Sequence, residues 1–493
     1  MKAPKQHAAS RAPAIRARGK PTPPTRPSPR RTRRYDFAVI GAGPAGLAAA
    51  VTAARAGKRV ILFEAQRLGG TSLNTGSIPS KALIHSATMY AAMREVSRLR
   101  GSPADAPVAD LARIAARLRK IEERVAGAFS LARLERSGVE VCFAAARFAD
   151  RDTLVADSSY IRFGRAIIAT GAMSAPPNIS GLASDAFLTS ETIFGLTQLP
   201  ENLAVVGGGP LGCELAQAFC RLGSKVTIIQ DEAEFLPREE RDAAQILARA
   251  MARDGVSILL NTRVVGARRD ATGLTLETQN YQTTGTVAAT SVLVSVGRIP
   301  NVSGLNLDGA QVAYDPVNGI AVDDFLRTSN ANVFAAGDVC MPYKYTYVAE
   351  RTARIAVQNA LRRRPHLRHT ALMIPWCTFC APEVAHVGLQ VWEARQRSIP
   401  IKTYTVIMGD VDRAITDRQD NGFVKLHTAE GDDRILGATI VASHASEMIN
   451  EVCVAMHSGV GLRSLAQVMH TYPAQSDAIR LAALSFEESD PRI

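Results

Sequence analysis

Cysteine is sparse in this 493-residue sequence, with seven residues at positions 142, 213, 220, 340, 377, 380 and 453. An odd number at irregular spacing is no disulfide framework, so a reducing, cytoplasmic setting is expected. Long apolar runs are missing too. The one candidate window, Phe37 to Ala54, is interrupted by Gly41, Gly43, Pro44 and Gly46, so a buried strand, turn and helix is expected there and no membrane span. Acidic residues are absent from the first 34 positions, which carry eleven Lys or Arg and seven prolines. No apolar stretch follows these charges, so a secretory signal peptide is not expected, and the prolines spoil an amphipathic helix. Residues 1–34 read as a disordered basic tail, with an organelle-targeting leader as the alternative. Beyond the tail 47 basic residues face 46 acidic ones, so the body is nearly neutral and no specific nucleic-acid partner is expected.

What is present is material for about three domains. Tyr35 to Glu64 reads as strand, glycine turn, small-residue helix and second strand ending on an acid. Gly41-x-Gly43-x-x-Gly46 has the spacing of a dinucleotide loop. One glycine serves the tight turn, one the close approach of pyrophosphate and one the helix packing, with the phosphate at the helix N-terminus. Glu64 then accepts hydrogen bonds from a ribose hydroxyl. Helical stretches are expected over about 80–100 and 107–136, split by Gly101-Ser102-Pro103. Asn202 to Gln230 repeats the first pattern, with Gly207-x-Gly209-x-x-Gly212 leading into a helix that carries Glu214. Its second strand ends at Gln230-Asp231-Glu232, and no basic residue appears before Arg238. A 2′-phosphate calls for Arg or Lys at that place, so NADH is favoured over NADPH. A β-rich stretch is expected to about residue 300, then a strand from Val333 into Gly337-Asp338, then an α/β domain over the last 120 or so residues. Cys377-Thr-Phe-Cys380 has thioredoxin-like spacing, but it lies in a strand-like run, Ile374 to Val387, without a helix start behind it. Neither a redox role nor a metal site is expected of it.

These residues, in this order, resemble the FAD-dependent pyridine nucleotide-disulphide oxidoreductases, the family of dihydrolipoamide dehydrogenase, glutathione reductase, mercuric reductase and soluble transhydrogenase. The likeness runs from residue 35 to about 485 and includes Ala169-Thr170-Gly171, Gly297-Arg298-Ile299-Pro300-Asn301 and Ala335-Ala336-Gly337-Asp338. Ile374-Pro375-Trp376 and Ala385-His386-Val387-Gly388 look closest to the mercuric-reductase-like branch. The resemblance implies an α/β fold with two Rossmann-like dinucleotide-binding domains, for FAD and NAD(P), and a C-terminal α+β dimerisation domain that forms a homodimer. On this basis the expected divisions are a tail over 1–34, an FAD-binding domain over 35–190 that resumes over 316–369, an NAD(P)-binding domain over 191–315, and an interface domain over 370–493. The cofactor-binding residues implied are Gly41, Gly43, Gly46, Glu64, Gly70, Thr71, Lys81, Thr170, Gly171, Gly207, Gly209, Gly212, Gln230, Gly297, Arg298, Gly337 and Asp338, with Asp338 on the flavin ribitol. Lys81 and Glu214 match a family pair beside the flavin ring, where a cation stabilises negative charge on reduced flavin and the acid keeps the lysine charged and placed.

The departures from the family pattern all concern sulfur. Thr71-Ser72-Leu73-Asn74-Thr75-Gly76-Ser77-Ile78-Pro79-Ser80-Lys81 resembles the stretch that carries the family's redox pair, and Ser72 and Ser77 stand at both sulfur positions. Alcohols do not ionise near neutral pH and form no disulfide, so no thiol relay is expected. His470-Thr471-Tyr472-Pro473-Ala474-Gln475-Ser476-Asp477 resembles the segment in which a His before the proline, oriented by a Glu, protonates the leaving thiol. Tyr472 stands at that His position, Asp477 at the Glu position, and His470 lies two residues early. A phenol with a pKa of about 10 is a poor neutral-pH base. The stretch from Ser485 to Ile493 also lacks the cysteine pair through which mercuric reductases deliver metal. The expected activity is therefore an FAD-dependent NAD(P)H oxidoreductase that passes hydride to FAD and electrons from reduced flavin directly to a small-molecule acceptor. That acceptor is a quinone, a dye, oxygen or a second pyridine nucleotide, with Ser77 as hydrogen-bond donor and spacer and Tyr472 as a wall of the acceptor pocket. The alternatives are a disulfide or mercuric reductase-like enzyme whose cysteines have been changed to serine, and a non-catalytic flavoprotein.

Overall fold

The computed structural model describes residues 33–102, 107–183, 185–270, 273–281, 283–364 and 366–489. Most of the basic tail lies outside these residues, but Arg33 and Arg34 open the first strand, Arg33–Ile40, instead of closing the tail. They pair with Ile161 and Arg162, and the Arg33 guanidinium meets Glu140 at 2.9 Å. From Phe37 the strand is buried on both faces, as a central parallel strand must be.

Five parallel strands make the first sheet, in the order Val139–Phe143, Val60–Glu64, Arg33–Ile40, Ser159–Ile168 and Val333–Ala335. Ala146–Phe148 and Thr153–Ala156 add antiparallel to the N-terminal half of Ser159–Ile168. The return of Val333–Ala335 to this sheet sets Gly337 against the first glycine turn, where a Cβ on Gly337 would lie 3.0 Å from the Ala45 methyl.

A second parallel sheet runs Ser257–Leu259, Lys225–Ile229, Asn202–Val206 and Ser291–Val294, beside an antiparallel meander of Arg263–Asp270, Gly273–Asn280 and Thr283–Ala289. The stretch to residue 300 is not β-rich throughout, because the helix Arg241–Asp254 intervenes. Ala243, Ala244, Leu247, Ala250 and Met251 recur at helical spacing on its buried face, and Gly255 ends it in the left-handed region. The stretch over 107–136 also departs from expectation. It divides into Leu111–Ala126, whose first turn is capped by Asp110 accepting from the Arg113 N–H at 3.1 Å, a 3-10 turn at Gly127–Phe129, and Leu131–Arg136. The extended backbone at Ser130 interrupts the helical path. The preceding helix, Ser77–Leu99, starts three residues earlier than expected.

The C-terminal unit is a five-stranded antiparallel sheet in the order Trp376–Thr378, Glu383–Gly388, Ile435–Ala442, Phe423–Ala429 and Ile401–Ile407. Alternation along these strands produces two unlike faces. Ala385, Val387, Val424, Leu426 and Ile440 face the helices Ala445–Ser458 and Asp477–Ser489 in one apolar core. Val384, Phe423 and Val441 join a different core with Ala243 and Leu247 of the helix Arg241–Asp254. This second face is partly polar: Lys425 pairs with Asp242, and Trp376 reaches Glu239. Among the described residues no helix is long and apolar enough to cross a membrane.

Candidate active site

Each glycine loop leaves its strand with a backbone that only glycine tolerates. Gly41 has φ +97° and Gly207 φ +101°, and a Cβ on either would press within 2.5 Å of a carbonyl oxygen, that of Ala169 or of Ser295. The third glycines, Gly46 and Gly212, pack against the carbonyls of Gly41 and Gly207. Gly43 and Gly70 are in backbone contact, with Thr71 exposed beside them, so this loop has the bare backbone surface a pyrophosphate requires. The acid at the end of the second strand braces the loop: Glu64 accepts from the Ala42 and Gln66 N–H groups, both at 2.8 Å. Gln230 does the same in the second unit, accepting from the Gly208 N–H at 2.7 Å.

Thr170 and Asn301 stitch the two nucleotide units together. The Thr170 hydroxyl donates to the Asn301 carbonyl at 2.7 Å, and the Asn301 amide returns a bond to the Thr170 carbonyl at 2.9 Å. Gly171 and Gly297 flank this stitch with positive φ and open space where a side chain would be. The Arg298 guanidinium donates to the Ala172 carbonyl and lies 3.7 Å from Glu191. Burial raises the Asp338 carboxyl above its ordinary range, and the positive charges of Arg298 and Lys344 partly offset this.

The helices Ser77–Leu99 and Pro210–Leu222 pack through a shared apolar core and so bring Lys81 to Glu214, Nζ to Oε2 2.8 Å. Glu214 is 4% exposed, and its other oxygen accepts from the Phe379 N–H at 3.0 Å, so both carboxylate oxygens are satisfied. The Lys81 ammonium also lies 4.2 Å from the centroid of the Phe379 ring. Ser72 sits in the short helix Gly70–Asn74, its hydroxyl 2.7 Å from that of Thr346, and Ser77 is exposed at the start of its helix.

The C-terminal candidates find local partners. The Tyr472 hydroxyl donates to Asp412 at 2.8 Å, a bond that raises the phenol pKa further, and Asp477 receives Arg480 at 2.7 and 3.1 Å. His470 lies with Nε2 2.8 Å from Glu451 and Nδ1 3.1 Å from the Val468 carbonyl, contacts that hold the ring in place. None of these contacts includes Ser72, Ser77, Lys81 or Glu214. Cys377 and Cys380 lie at and just beyond the strand Trp376–Thr378, and burial pushes both thiols up.

Several residues at the site carry no motif. Phe379 and Thr346 serve Glu214 and Ser72 through the backbone and a hydroxyl, which no spacing rule detects. Glu239 is 4% exposed, with one oxygen on the Trp376 indole N–H at 2.9 Å and the other without a partner among the described residues. Burial, opposed by the indole bond and reinforced by Glu240, pushes its carboxyl up to about 7. Tyr343, Tyr345 and Tyr347 had a visible signal, their period of two.

Two dinucleotide loops on successive parallel sheets, a braced Lys–Glu pair and an appended antiparallel sheet define a two-nucleotide α/β oxidoreductase. Residues 35–373 match the pyridine nucleotide-disulphide oxidoreductase family and residues 374–483 its dimerisation domain, and the chain belongs to that family. It is 32% identical over 459 residues to a mercuric reductase of Streptomyces lividans, covering 92% of this chain and 96% of that protein. It is 30% identical over 473 residues to a dihydrolipoyl dehydrogenase of Chlamydia muridarum, covering 91% and 96%. Among solved structures, the HOCl-induced flavoprotein disulfide reductase RclA of Escherichia coli in its Cu(II) complex superposes with a TM-score of 0.82 at 27% identity, covering 92% of this chain and all of that one. The protein is thus an FAD- and NAD(P)H-dependent oxidoreductase, and its dimerisation domain points to a homodimer.

Proposed function

We propose that this enzyme transfers reducing equivalents from NADH by way of FAD directly to a small-molecule acceptor, without a redox disulfide. The observation that carries the reading is the pairing of Ser72 and Ser77, at the positions that resemble the family's sulfur pair, with a Lys81–Glu214 pair whose two carboxylate oxygens are both bonded. When bound, FAD accepts hydride from a nicotinamide and releases electrons to an acceptor.

The residues fit that cofactor. The bare backbone at Gly41, Gly43, Gly70 and Thr71 would take the pyrophosphate, with Gly46 packing the helix behind it; Glu64 would serve the ribose, Thr170 and Gly171 would close the loop, and Gly337 and Asp338 would take the ribitol. Lys81 would supply a positive charge for a developing anion, and Glu214 holds that ammonium in place. Ser72 holds Thr346, and Ser77 presents an exposed hydroxyl donor. Tyr472 would not serve as a base, since Asp412 makes its proton harder to remove.

For the nicotinamide cofactor, Gly207, Gly209 and Gly212 form the phosphate loop, with Gly297 and Arg298 at the crossover. Asp231 and Glu232 are exposed just after the second strand, and the nearby Arg241 is engaged by Glu234 at 3.4 Å. An acidic rim of this kind repels a 2′-phosphate and accepts ribose hydroxyls, which favours NADH.

Anaerobic dithionite titration of the purified flavoprotein tests the reading. Uptake of about two electrons per FAD is expected, and about four would reveal a second redox centre and overturn it. The variant with Ser72→Cys and Ser77→Cys is expected to take up about four.

A further inference from the structure

Tyr343, Tyr345 and Tyr347 occupy alternate positions from a bend, through the residue before the helix Thr346–Ala360, into its first turn. Tyr345, the residue before the helix, is extended, and the three rings stack. The centroids of Tyr343 and Tyr345 are 6.4 Å apart with planes at 23°, and those of Tyr345 and Tyr347 are 5.5 Å apart with planes at 9°. The middle ring is half-buried, and burial pushes its phenol up to about 12. The outer rings keep 39% and 46% of their surface exposed.

The stack is held from three directions. The Tyr347 hydroxyl donates to the Pro375 carbonyl, the Lys344 ammonium donates to the carbonyls of Asp338 and Met341, and the Thr346 hydroxyl meets that of Ser72 at 2.7 Å. It therefore lies between the Ser72–Ser77 segment and the Asp338 turn. Rings already aligned and anchored lose little freedom when another flat ring joins them, so stacking energy is retained in binding.

We infer that the Tyr343–Tyr345–Tyr347 stack is the docking platform for a planar acceptor of the quinone class, which lies on the Tyr347 ring. This rests on the direct acceptor reduction proposed above and assigns the acceptor's chemistry. The overall step balances: NADH loses a hydride to become NAD⁺, and the quinone gains two electrons, one proton from that hydride and one from solvent, to become the hydroquinone.

The test uses the oxidised FAD-loaded protein and the naphthoquinone menadione. Calorimetric titration is expected to show a Kd for Tyr347→Leu weaker by about 2- to 10-fold, the range of one aromatic pair. Tyr347→Phe, which keeps the ring and loses only the Pro375 bond, is expected to restore binding. In turnover, the ratio of kcat/KM for menadione to that for ferricyanide, which has no ring to stack, is expected to fall by the same factor in Tyr347→Leu. Equal menadione affinity in all three proteins overturns the inference, as does a loss that phenylalanine fails to restore or an equal fall for both acceptors. If Tyr347→Leu loses FAD while keeping menadione affinity, the stack is a cofactor wall and the inference also fails. Failure of the disulfide-free reading looks different, because it appears in the wild-type electron count whatever menadione does.

Discussion

Glu239→Gln is expected to stabilise this protein, and to do so only above acidic pH. The carboxyl is buried against Trp376 with one oxygen unpartnered, and its pKa is pushed from 4.5 up to about 7. Below pH 4.5 both the folded and the unfolded chain hold the proton, and the group contributes nothing to the pH dependence. As pH rises from there to 7, the unfolded chain ionises while the folded chain does not, so stability is lost across that window. The full penalty is about 3 kcal/mol, from 1.36 kcal/mol per pKa unit, and above neutrality it stays constant. Glutamine keeps an oxygen for the Trp376 N–H and has no charge to bury. The stability gained by Glu239→Gln should therefore grow from under about 1 kcal/mol at pH 5 to about 3 kcal/mol at pH 8 in urea unfolding. The chain has two tryptophans, so a Trp392→Phe background leaves Trp376 as the sole reporter. Its emission should titrate near neutrality and cease to do so when Glu239 is replaced. A stability difference that is the same at both pH values, or an indole signal insensitive to Glu239, would refute the reasoning.

Two further outcomes follow from the site. Lys81→Met leaves the Glu214 carboxylate buried with only the Phe379 N–H, which should cost about 2 kcal/mol of stability and slow flavin reduction by NADH roughly tenfold in stopped-flow absorbance; an unchanged rate would remove Lys81 from the chemistry. Glu232→Arg turns an exposed acid after the second strand into a cation, and kcat/KM for NADPH relative to NADH should rise about fivefold. A wild-type preference for NADPH would contradict the acidic-rim argument.

Both nucleotide loops were legible in the sequence because their geometry is local. Gly41 and Gly207 need a left-handed backbone, and Gly46 and Gly212 need space against a carbonyl only a few residues back. The helix Arg241–Asp254 was equally local, with Ala243, Ala244, Leu247, Ala250 and Met251 at helical spacing, and reading onward from the glycine loop as strand alone overlooked that period. The serines at 72 and 77 are plain in the sequence, yet the partner of Ser72 is Thr346, 274 residues away. Lys81 and Glu214 were paired by resemblance. What joins them is the packing of two helices across 133 residues, and what completes Glu214 is the Phe379 backbone from a third unit.

By itself, the sequence determined the two phosphate-binding turns, the absence of sulfur at 72 and 77, and the order of the units, since these depend on residue identity and on neighbours along the chain. Only the tertiary structure decided that Tyr343, Tyr345 and Tyr347 stack, that Tyr472 and His470 are engaged by Asp412 and Glu451, and that burial raises the Glu239 carboxyl to about 7. The physical reason is that ring stacking, hydrogen-bond occupancy and desolvation are set by groups distant in sequence, and none of them acts until the chain has folded.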